Sequence, residues 1–546
     1  MNQALSSLRV TAQSSLADIR NAFESTSQDL LVIDERSIIT NPHLELLTDY
    51  PRSVSAALVA TKKGGDTRIE QNRIVSASSA SHQVTAGNRE FIGAIRLSQH
   101  QRDQILATLQ GAINHNATGH ALDLALVALA RARVRVDAVD IWGAPYLRSD
   151  DAASRARIEA EIKSLKMERV RLRMANRAND GFFSVFVLRK FSKFLTWAAV
   201  RIGATPNQVT LVSFAIGLYS AYSFASGTFT GALIGALALQ LSIIVDCVDG
   251  ELARYTRSFS KLGAWLDAVT DRIKEYLVFL GLAYGAARQG EDLWLAALGM
   301  MALQTFRHLS DYNFAQSMKI RNELKYRDPI EYLSSFDGVV PSEREAKGRL
   351  RYWLGKIIQF PIGERWLVIG ASAVIGGAAF TFTVMPILAF ISIIFVYRGR
   401  IRRTRELEKT PLPSLLIANQ TDLLGVKRTF TPRSSWIEPS IIRLIELLVL
   451  IAVLVDSNLV GVESFVLILS IIFHHYDNLY RALQGEAKPT WLSVLGLYVG
   501  GRILLIGTFV YAGWNLTPLV WYFATLFFAI SSIQWVVSHR QNKVNL

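Results

Sequence analysis

Four aspartates, at positions 246, 249, 267 and 271, stand in a stretch that reads D-C-V-D-G-E-L-A-R and then, after Tyr255 to Leu262, G-A-W-L-D-A-V-T-D. On a helix, residues three or four apart share a face, so Asp246 pairs with Asp249 and Asp267 with Asp271. The chain is strongly apolar on both sides, which places these acids at the ends of two membrane helices. Carboxylates at membrane depth are costly and mark functional sites. A short turn between the helices would bring all four together, where so many like charges cannot all ionise without a counter-charge. Hard oxygen ligands of this kind suit Mg²⁺, Mn²⁺ or Ca²⁺ rather than a soft metal. Gly250, Ala253 and Gly263 leave the backbone open to a flat or bulky ligand, and Arg254 offers a cation suited to phosphate.

The elements that position these acids follow from hydropathy. Long apolar runs begin only after about Val209. Spans of about 20 apolar residues are expected near 209–226, 231–250, 263–285, 292–313, 364–382, 384–398, 439–456, 459–474, 491–512 and 516–537. Lys and Arg crowd Arg254–Lys261, Lys319–Lys356, Arg398–Arg433 and Asp477–Lys488, whereas Ser226–Thr230, Thr381–Thr383 and Gly513–Pro518 carry none. The positive-inside rule then gives an even number of spans, with both termini and the four aspartates on the cytoplasmic side. Ahead of the first span, Phe182–Val200 alternates aromatics with Arg189, Lys190 and Lys193, as an amphipathic interfacial helix with its cations near headgroups would. Asp150–Asn179 reads as a charged helix, either a connector or dimer contact or a plain solvated helix.

Composition narrows the class. The formal net charge is +14 and half the residues are hydrophobic. The basic stretches lie beside apolar runs, which favours anionic headgroups over nucleic acid as their partner. Cys247 is the single cysteine, so neither an intrachain disulfide nor a cysteine-rich zinc site is available. The opening residues MNQALSSLRVTAQSS lack the pattern of a signal peptide.

Residues 1–150 read instead as a small α/β domain. Strands are expected at Leu30–Ile33, Val54–Ala60, Arg73–Ala77, Phe91–Leu97 and Val134–Ile141, and helices at Gln101–Ile113 and Ala121–Arg133. The thread D-L-L-V-I-D-E-R, F-I-G-A-I-R-L and A-L-D-L-A-L-V-A-L faintly resembles the back part of sugar-nucleotidyltransferase domains, in which Asp34 would match the metal aspartate. Those domains open with a Gly-rich phosphate cradle, which is missing here. Lys62-Lys63-Gly64-Gly65 follows the wrong strand and reads as a polar turn. The domain is therefore expected to be degenerate, with a regulatory or structural role.

The spacing D-x2-D-G-x2-A-R-x8-G-x3-D-x3-D, with T-P-N-Q-V-T at Thr205–Thr210 just before the first span, resembles the signature of the CDP-alcohol phosphotransferase family over about residues 182–400. The resemblance implies a metal-dependent membrane transferase that moves a substituted phosphate from a CDP-alcohol to a hydroxyl acceptor and releases CMP. Two divalent cations, Mg²⁺ or Mn²⁺, would be held by Asp246, Asp249 and Asp267, with Asp271 beside them as general base. Gly250, Ala253, Arg254, Gly263, Pro206 and Asn207 would bind the CDP part. Lys274 and Arg307 are weaker candidates for a phosphate-bearing acceptor, with intrahelical Arg307–Asp311 pairing as the plain alternative for Arg307. The donor is CDP-diacylglycerol or a CDP-polyol such as CDP-inositol, and the acceptor a small alcohol or alcohol phosphate. A prokaryotic plasma membrane and a homodimer are the expected setting.

The expected architecture is a mainly α-helical polytopic membrane protein with an N-terminal soluble α/β domain. It divides into 1–150, a connector and interfacial helix at 151–208, six catalytic spans at 209–400, a cytoplasmic linker at 401–433 and a four-span module at 434–546. His474-His475-Tyr476-Asp477 reads as an ordinary helix end, Arg443 and Glu446 as a pair, and Arg502 as an intramembrane charge without an evident partner. Two other functions stay open: a non-catalytic scaffold or transporter on the same fold, and a bifunctional enzyme with an active N-terminal cytidylyltransferase.

Overall fold

The computed structural model describes residues 5–544 except 71, 81, 85, 117, 177–180, 326–348, 407–435 and 485–487. Most of the linker expected at 401–433 and most of the long loop after the fourth span lie outside the described residues, while residues 401–406 of that linker are helical. The chain forms two compact units, Met1–Asn176 with Asn322–Ala346, and Arg177–Arg321 with Lys347–Leu546.

The first unit is built on a seven-stranded mixed sheet. Its strands are β1 (Ser6–Val10), β2 (Leu30–Asp34), β4 (Ser55–Thr61), β5 (Thr67–Glu70), β6 (Arg73–Ala77), β7 (Arg89–Leu97) and β8 (Val136–Asp140), and the short β3 (Ser37–Ile38) and β9 (Leu147–Arg148) pair apart from it. The order is β1-β2-β7-β4-β8-β6-β5. β1 runs parallel to β2 and β4 to β8, while β7 is antiparallel to both of its neighbours. Helices α1 (Leu16–Ser25), α3 (Arg102–Asn114) and α4 (Ala121–Arg131) share a core with one face of the sheet, and α2 (Asn41–Thr48) belongs to a second core. The five expected strands and two expected helices are present, with ends within two residues of those read from the pattern. The polar β1 and the short β5 escaped that reading, because neither has a long apolar run. The charged stretch is two helices, α5 (Ala152–Ser164) and α6 (Met167–Met174), of which α6 buries Val170 and Met174.

The second unit is helical throughout. A turn of π-helix at Ser184–Leu188 leads into α7 (Arg189–Arg201). Then come α8 (Pro206–Phe224), α9 (Phe229–Thr256), α10 (Lys261–Arg288), α11 (Trp294–Lys325), α12 (Arg349–Ile358) and α13 (Ile362–Glu406). After the linker follow α14 (Glu438–Asp456), α15 (Val462–Leu483), α16 (Thr490–Leu495), α17 (Tyr498–Tyr511), α18 (Thr517–Ala524) and α19 (Ser531–Val544). Every expected span lies on these helices, and the protein is a mainly α-helical polytopic membrane protein with an N-terminal α/β region. Among the described residues, four helices are long and apolar enough to cross a membrane by length and composition alone: Phe229–Thr256, Ile362–Arg405, Thr490–Tyr511 and Thr517–His539. α10 falls short because charged residues interrupt its apolar length: Asp267, Asp271, Arg272, Lys274 and Glu275.

Three expectations are corrected. The turn placed at Thr381–Thr383 is at Gly376-Gly377, where Gly377 has a left-handed φ of +70° that favours glycine. Thr381 stays helical and its hydroxyl donates to Gly377 O at 3.0 Å. The span at 491–512 is broken at Leu497 and Tyr498, both with positive φ. Arg189 is not at the headgroups: it is buried and bonds Glu251 at 2.6 Å. Ser192 and Thr196 donate to the same carboxylate at 2.7 and 2.6 Å, so Glu251 latches α7 onto α9. The opposite face of α7 leaves Phe191 and Phe194 exposed, as an interfacial helix requires.

Candidate active site

The site is assembled where three helix ends meet. Thr205 caps α8 through a reciprocal box with Gln208, and Pro206 takes the first turn, where its missing N–H is harmless. T-P-N-Q is therefore a helix start whose capping leaves Asn207 free to face its neighbours. α9 ends at Arg257, which adopts the left-handed conformation at φ 59°. Ser260 then caps α10, its hydroxyl accepting from Gly263 N at 2.9 Å. This tight connection sets the C-terminal turns of α9 against the N-terminal turns of α10.

Small residues let the helices approach closely. Ser213 on α8 donates to Ser242 O on α9 at 3.0 Å, and Ser242 returns a bond to Ser213 O at 2.8 Å. A side chain on Gly281 of α10 would meet Ala221 O of α8 at 2.2 Å. With the backbones this close, the carboxylates of Asp246, Asp267 and Asp271 each offer an oxygen within 4.8 Å of the others. Asp249 is buried just beside them, and its Oδ2 accepts from Thr210 Oγ1 at 2.6 Å. Asp246 Oδ1 accepts from Ser213 Oγ at 3.0 Å and from Lys274 Nζ at 2.6 Å. Lys274 Nζ also approaches Asp271 Oδ1 to 3.0 Å, without hydrogen-bond geometry, so that this buried oxygen has no donor.

The other expected residues are distributed around this cluster. A Cβ on Gly263 would lie 2.9 Å from Asn207 Oδ1, which places the T-P-N-Q turn against the first turn of α10. A Cβ on Gly250 would come 3.2 Å from an Arg254 guanidinium nitrogen, so Arg254 folds back over the glycine one turn earlier. Ala253 lies between them, half-buried. Lys274 joins the aspartates themselves. Arg307 does not: its guanidinium donates to Gln304 Oε1 at 2.8 Å, Ser392 Oγ at 3.0 Å and Gln359 O at 3.3 Å. A buried guanidinium takes the nearest carbonyls and hydroxyls, and these belong to the packing of α11 on α13. Asp311 is not its partner either, being bonded by Arg400.

Thr210, Ser213 and Glu251 were missed in the sequence reading. The hydroxyls carry weak signals, although Thr210 closes the T-P-N-Q-V-T string. Glu251 stands inside the motif, and its burial in an otherwise apolar helix was the available clue.

α15 of the C-terminal module packs on α10. Trp265 Nε1 donates to Asp477 Oδ1 at 3.1 Å, and the hydroxyls of Tyr276 and Tyr476 are 2.9 Å apart. Asp477 also accepts from Arg481 at 2.8 Å and Ser531 at 2.6 Å, so His474–Asp477 is a buried packing surface rather than a bare helix end. Arg502 has a partner after all: its Nη2 lies 2.6 Å from Glu446 Oε1, with Arg443 3.6 Å and His475 3.0 Å from the other oxygen.

In the α/β unit, Asp34 is fully buried at the end of β2. Its carboxylate accepts from Arg36 at 2.8 Å and from Arg148 at 2.7 Å. Gly93 makes room for this pair, since a Cβ there would lie 2.9 Å from Asp34 Cβ and 3.0 Å from Arg148 Nε. Burial alone would raise the Asp34 carboxyl, but the two arginines outweigh it and bring it down to about 2. Both arginines bond the carboxylate that the resemblance matched to a metal aspartate.

Residues 203–334 match the family described as CDP-alcohol phosphatidyltransferase, and residues 372–545 match a family of unknown function. The chain thus carries a CDP-alcohol phosphatidyltransferase domain, narrower than the expected 182–400. The bifunctional IPC transferase and DIPP synthase of Archaeoglobus fulgidus is 32% identical over 153 residues, which is 28% of each chain. Its namesake from Thermococcus kodakarensis is 33% identical over 177 residues, 31% of this chain and 37% of that one. The archaetidylinositol phosphate synthase of Pyrococcus horikoshii is 32% identical over 98 residues, 18% of this chain and 50% of that one. The matches thus span 28% to 50% of the length of these curated relatives.

Proposed function

We propose that this chain, with its CDP-alcohol phosphatidyltransferase domain over residues 203–334, transfers a substituted phosphate from a CDP-alcohol to a hydroxyl acceptor and releases CMP. The observation that carries the reading is the convergence of Asp246, Asp267 and Asp271, with Asp249 beside them, at the junction of α9 and α10. Four carboxylates against one bonded lysine leave an excess of negative charge that bound cations or protonation must offset. The donor set fits a hard divalent ion: every ligand is a carboxylate oxygen, and Asp271 Oδ1 is buried without a donor. Two divalent cations, Mg²⁺ or Mn²⁺, would be held by Asp246, Asp249, Asp267 and Asp271, and when bound they neutralise the donor's diphosphate and the charge that develops on CMP.

The chain's own residues do the rest. Thr210 and Ser213 fix the rotamers of Asp249 and Asp246. Gly263 and Asn207, with Pro206 setting the turn, form an edge where the cytidine can lie against the backbone. Gly250, Ala253 and Arg254 line the neighbouring turn, and Arg254 meets phosphate. Asp271 accepts the proton of the attacking hydroxyl.

Relatives named archaetidylinositol phosphate synthase and phosphatidylinositol phosphate synthase support an inositol-phosphate lipid as the product, which makes inositol phosphate the acceptor to test first and leaves CDP-inositol as the alternative donor. The pairing of Asp34 with two arginines weighs against an active N-terminal cytidylyltransferase. We place the protein in a prokaryotic plasma membrane as a homodimer, with termini and site cytoplasmic.

The test is CMP release by purified protein with Mg²⁺ or Mn²⁺. CDP-diacylglycerol and CDP-inositol would each be offered inositol, inositol phosphate, glycerol phosphate and serine. Release with one pair, lost in Asp271→Asn while CDP-alcohol binding largely survives, is the expected result. No CMP from any pair would favour a non-catalytic scaffold or transporter instead.

A further inference from the structure

Lys274 lies one turn beyond Asp271, and its placement is elaborately prepared. The residue is fully buried. Its stem crosses α8 where Gly217 stands, and a Cβ there would come within 2.7 Å of both Lys274 Cγ and Cδ. Its ammonium donates to Asp246 Oδ1 at 2.6 Å and Ser213 Oγ at 2.8 Å, and stands 3.0 Å from Asp271 Oδ1. The indole of Trp366 stands 5.2 Å from the ammonium, where a ring face favours a cation. Ser213 bonds both Asp246 and Lys274, so the three groups form one closed set.

Two of these oxygens belong to carboxylates of the proposed cation site. A phosphate-binding lysine would instead direct its ammonium away from the acids toward open space. We infer that Lys274 is a tethered counter-cation of the aspartate site: it occupies the position between Asp246 and Asp271 when no divalent ion is bound, competes with that ion, and so sets the affinity of the site. The inference rests on the metal-binding reading above, and it replaces the role of Lys274 as an acceptor contact. A flexible ammonium can withdraw toward Ser213 and Trp366 while remaining within the bundle. It keeps the empty site from holding four unscreened carboxylates, which like-charge repulsion would otherwise disfavour.

The consequences concern binding and stability, and both can be read without turnover. Mn²⁺ titration followed by electron paramagnetic resonance, on the full chain in detergent, would compare wild type with Lys274→Met and Gly217→Ala. Lys274→Met removes the charge and keeps an unbranched stem. Gly217→Ala keeps the charge and displaces the stem. Both variants should bind Mn²⁺ at least tenfold more tightly than wild type. In EDTA the melting temperature of Lys274→Met should fall below that of wild type, and saturating Mn²⁺ should restore most of the difference.

A lysine that only packs the bundle gives a different pattern, in which the melting temperature falls equally with and without Mn²⁺ and the affinity stays at the wild-type value. That pattern overturns the counter-cation role while leaving the metal site standing. Weaker binding in Lys274→Met also overturns it, since the lysine would then assist the ion. Asp267→Asn serves as the control that should abolish binding. If neither wild type nor Lys274→Met binds Mn²⁺, the metal reading fails and the inference falls with it.

Discussion

Two buried aspartate sites in this chain answer the same electrostatic problem in opposite ways. At Asp34 the carboxylate meets two arginines, at 2.8 and 2.7 Å, one of which also pairs with Asp123 at 2.7 Å. At the α9–α10 junction four carboxylates share one lysine bond. The first site is balanced by the protein's own cations. The second is deliberately left in deficit, with an oxygen of Asp271 held out of water and given no donor. Three other buried acids of the membrane unit follow the first pattern: Glu251 has Arg189, Glu275 has Arg365, and Glu446 has Arg502. At each of these an arginine balances the acid. Where acids accumulate beyond the available cations, the charge is offset by protonation or by a bound cation.

The largest effects should therefore come from the deficit site. Asp267→Asn and Asp271→Asn should each lower CMP release by about a thousandfold or more, a magnitude in keeping with removal of a group that acts in the transition state. Their melting temperatures should stay near wild type or rise, because each relieves like-charge repulsion. A marked loss of stability in either would place the aspartates in the structural class with Asp34. The balanced site should behave in reverse. Arg148→Leu leaves Asp34 with one partner and should destabilise the α/β unit by about 3 kcal/mol, seen as faster amide exchange along β2 and β7. CMP release should be unchanged, and a drop of more than about tenfold would blur the division between the two sites.

The two sites were also unequally legible. The four aspartates could be read because each pair is local, and helical spacing alone puts its members on one face. Their convergence needed only one short turn. The Asp34–Arg148 pair spans 114 residues, and no local pattern announces it. Lys274 was visible as a cation near the site, but its direction depends on the rotation of α10 against Gly217 of α8, which sequence spacing does not specify. The same holds for Arg502 and Glu446, brought together from different helices. Arg307 was misjudged because proximity along the chain says nothing about which carbonyls a buried guanidinium reaches first. Strand and helix positions in the α/β unit were readable wherever apolar runs were long, and were lost in polar β1 and short β5, while the charged stretch after Asp150 was read as one helix rather than two.

Acid should separate the sites by a smaller margin. The Asp34 carboxyl is held at about 2, below the ordinary aspartate value near 3.9. A depressed carboxylate contributes its stability above the unfolded value and loses it as pH falls through the folded one. The α/β unit should thus lose about 2 kcal/mol between roughly pH 4 and pH 2, read as amide exchange of β2 in the full chain. Asp34→Asn should remove most of that dependence, and an unchanged profile would mean that other carboxylates govern it.

The finest test compares the two glycines that make room at these sites. Gly93 is at φ +81°, and a Cβ there would strike Ser37 Oγ at 2.2 Å as well as the Asp34–Arg148 pair. Gly263 is helical, and its Cβ would meet only the side-chain ends of Ser260 and Asn207, at 2.8 and 2.9 Å. Those ends can swing aside, so Gly263→Ala should leave the fold intact and push Asn207 into the space proposed for cytidine. The Michaelis constant for the CDP-alcohol should rise about tenfold with kcat little changed, the mark of lost ground-state binding. Gly93→Ala should do the opposite, lowering stability with no change in that constant. If Gly263→Ala instead lowers kcat alone, the edge formed by Asn207 and Gly263 orients the reacting phosphate rather than the nucleoside, and the cytidine must be sought on the Gly250–Arg254 turn.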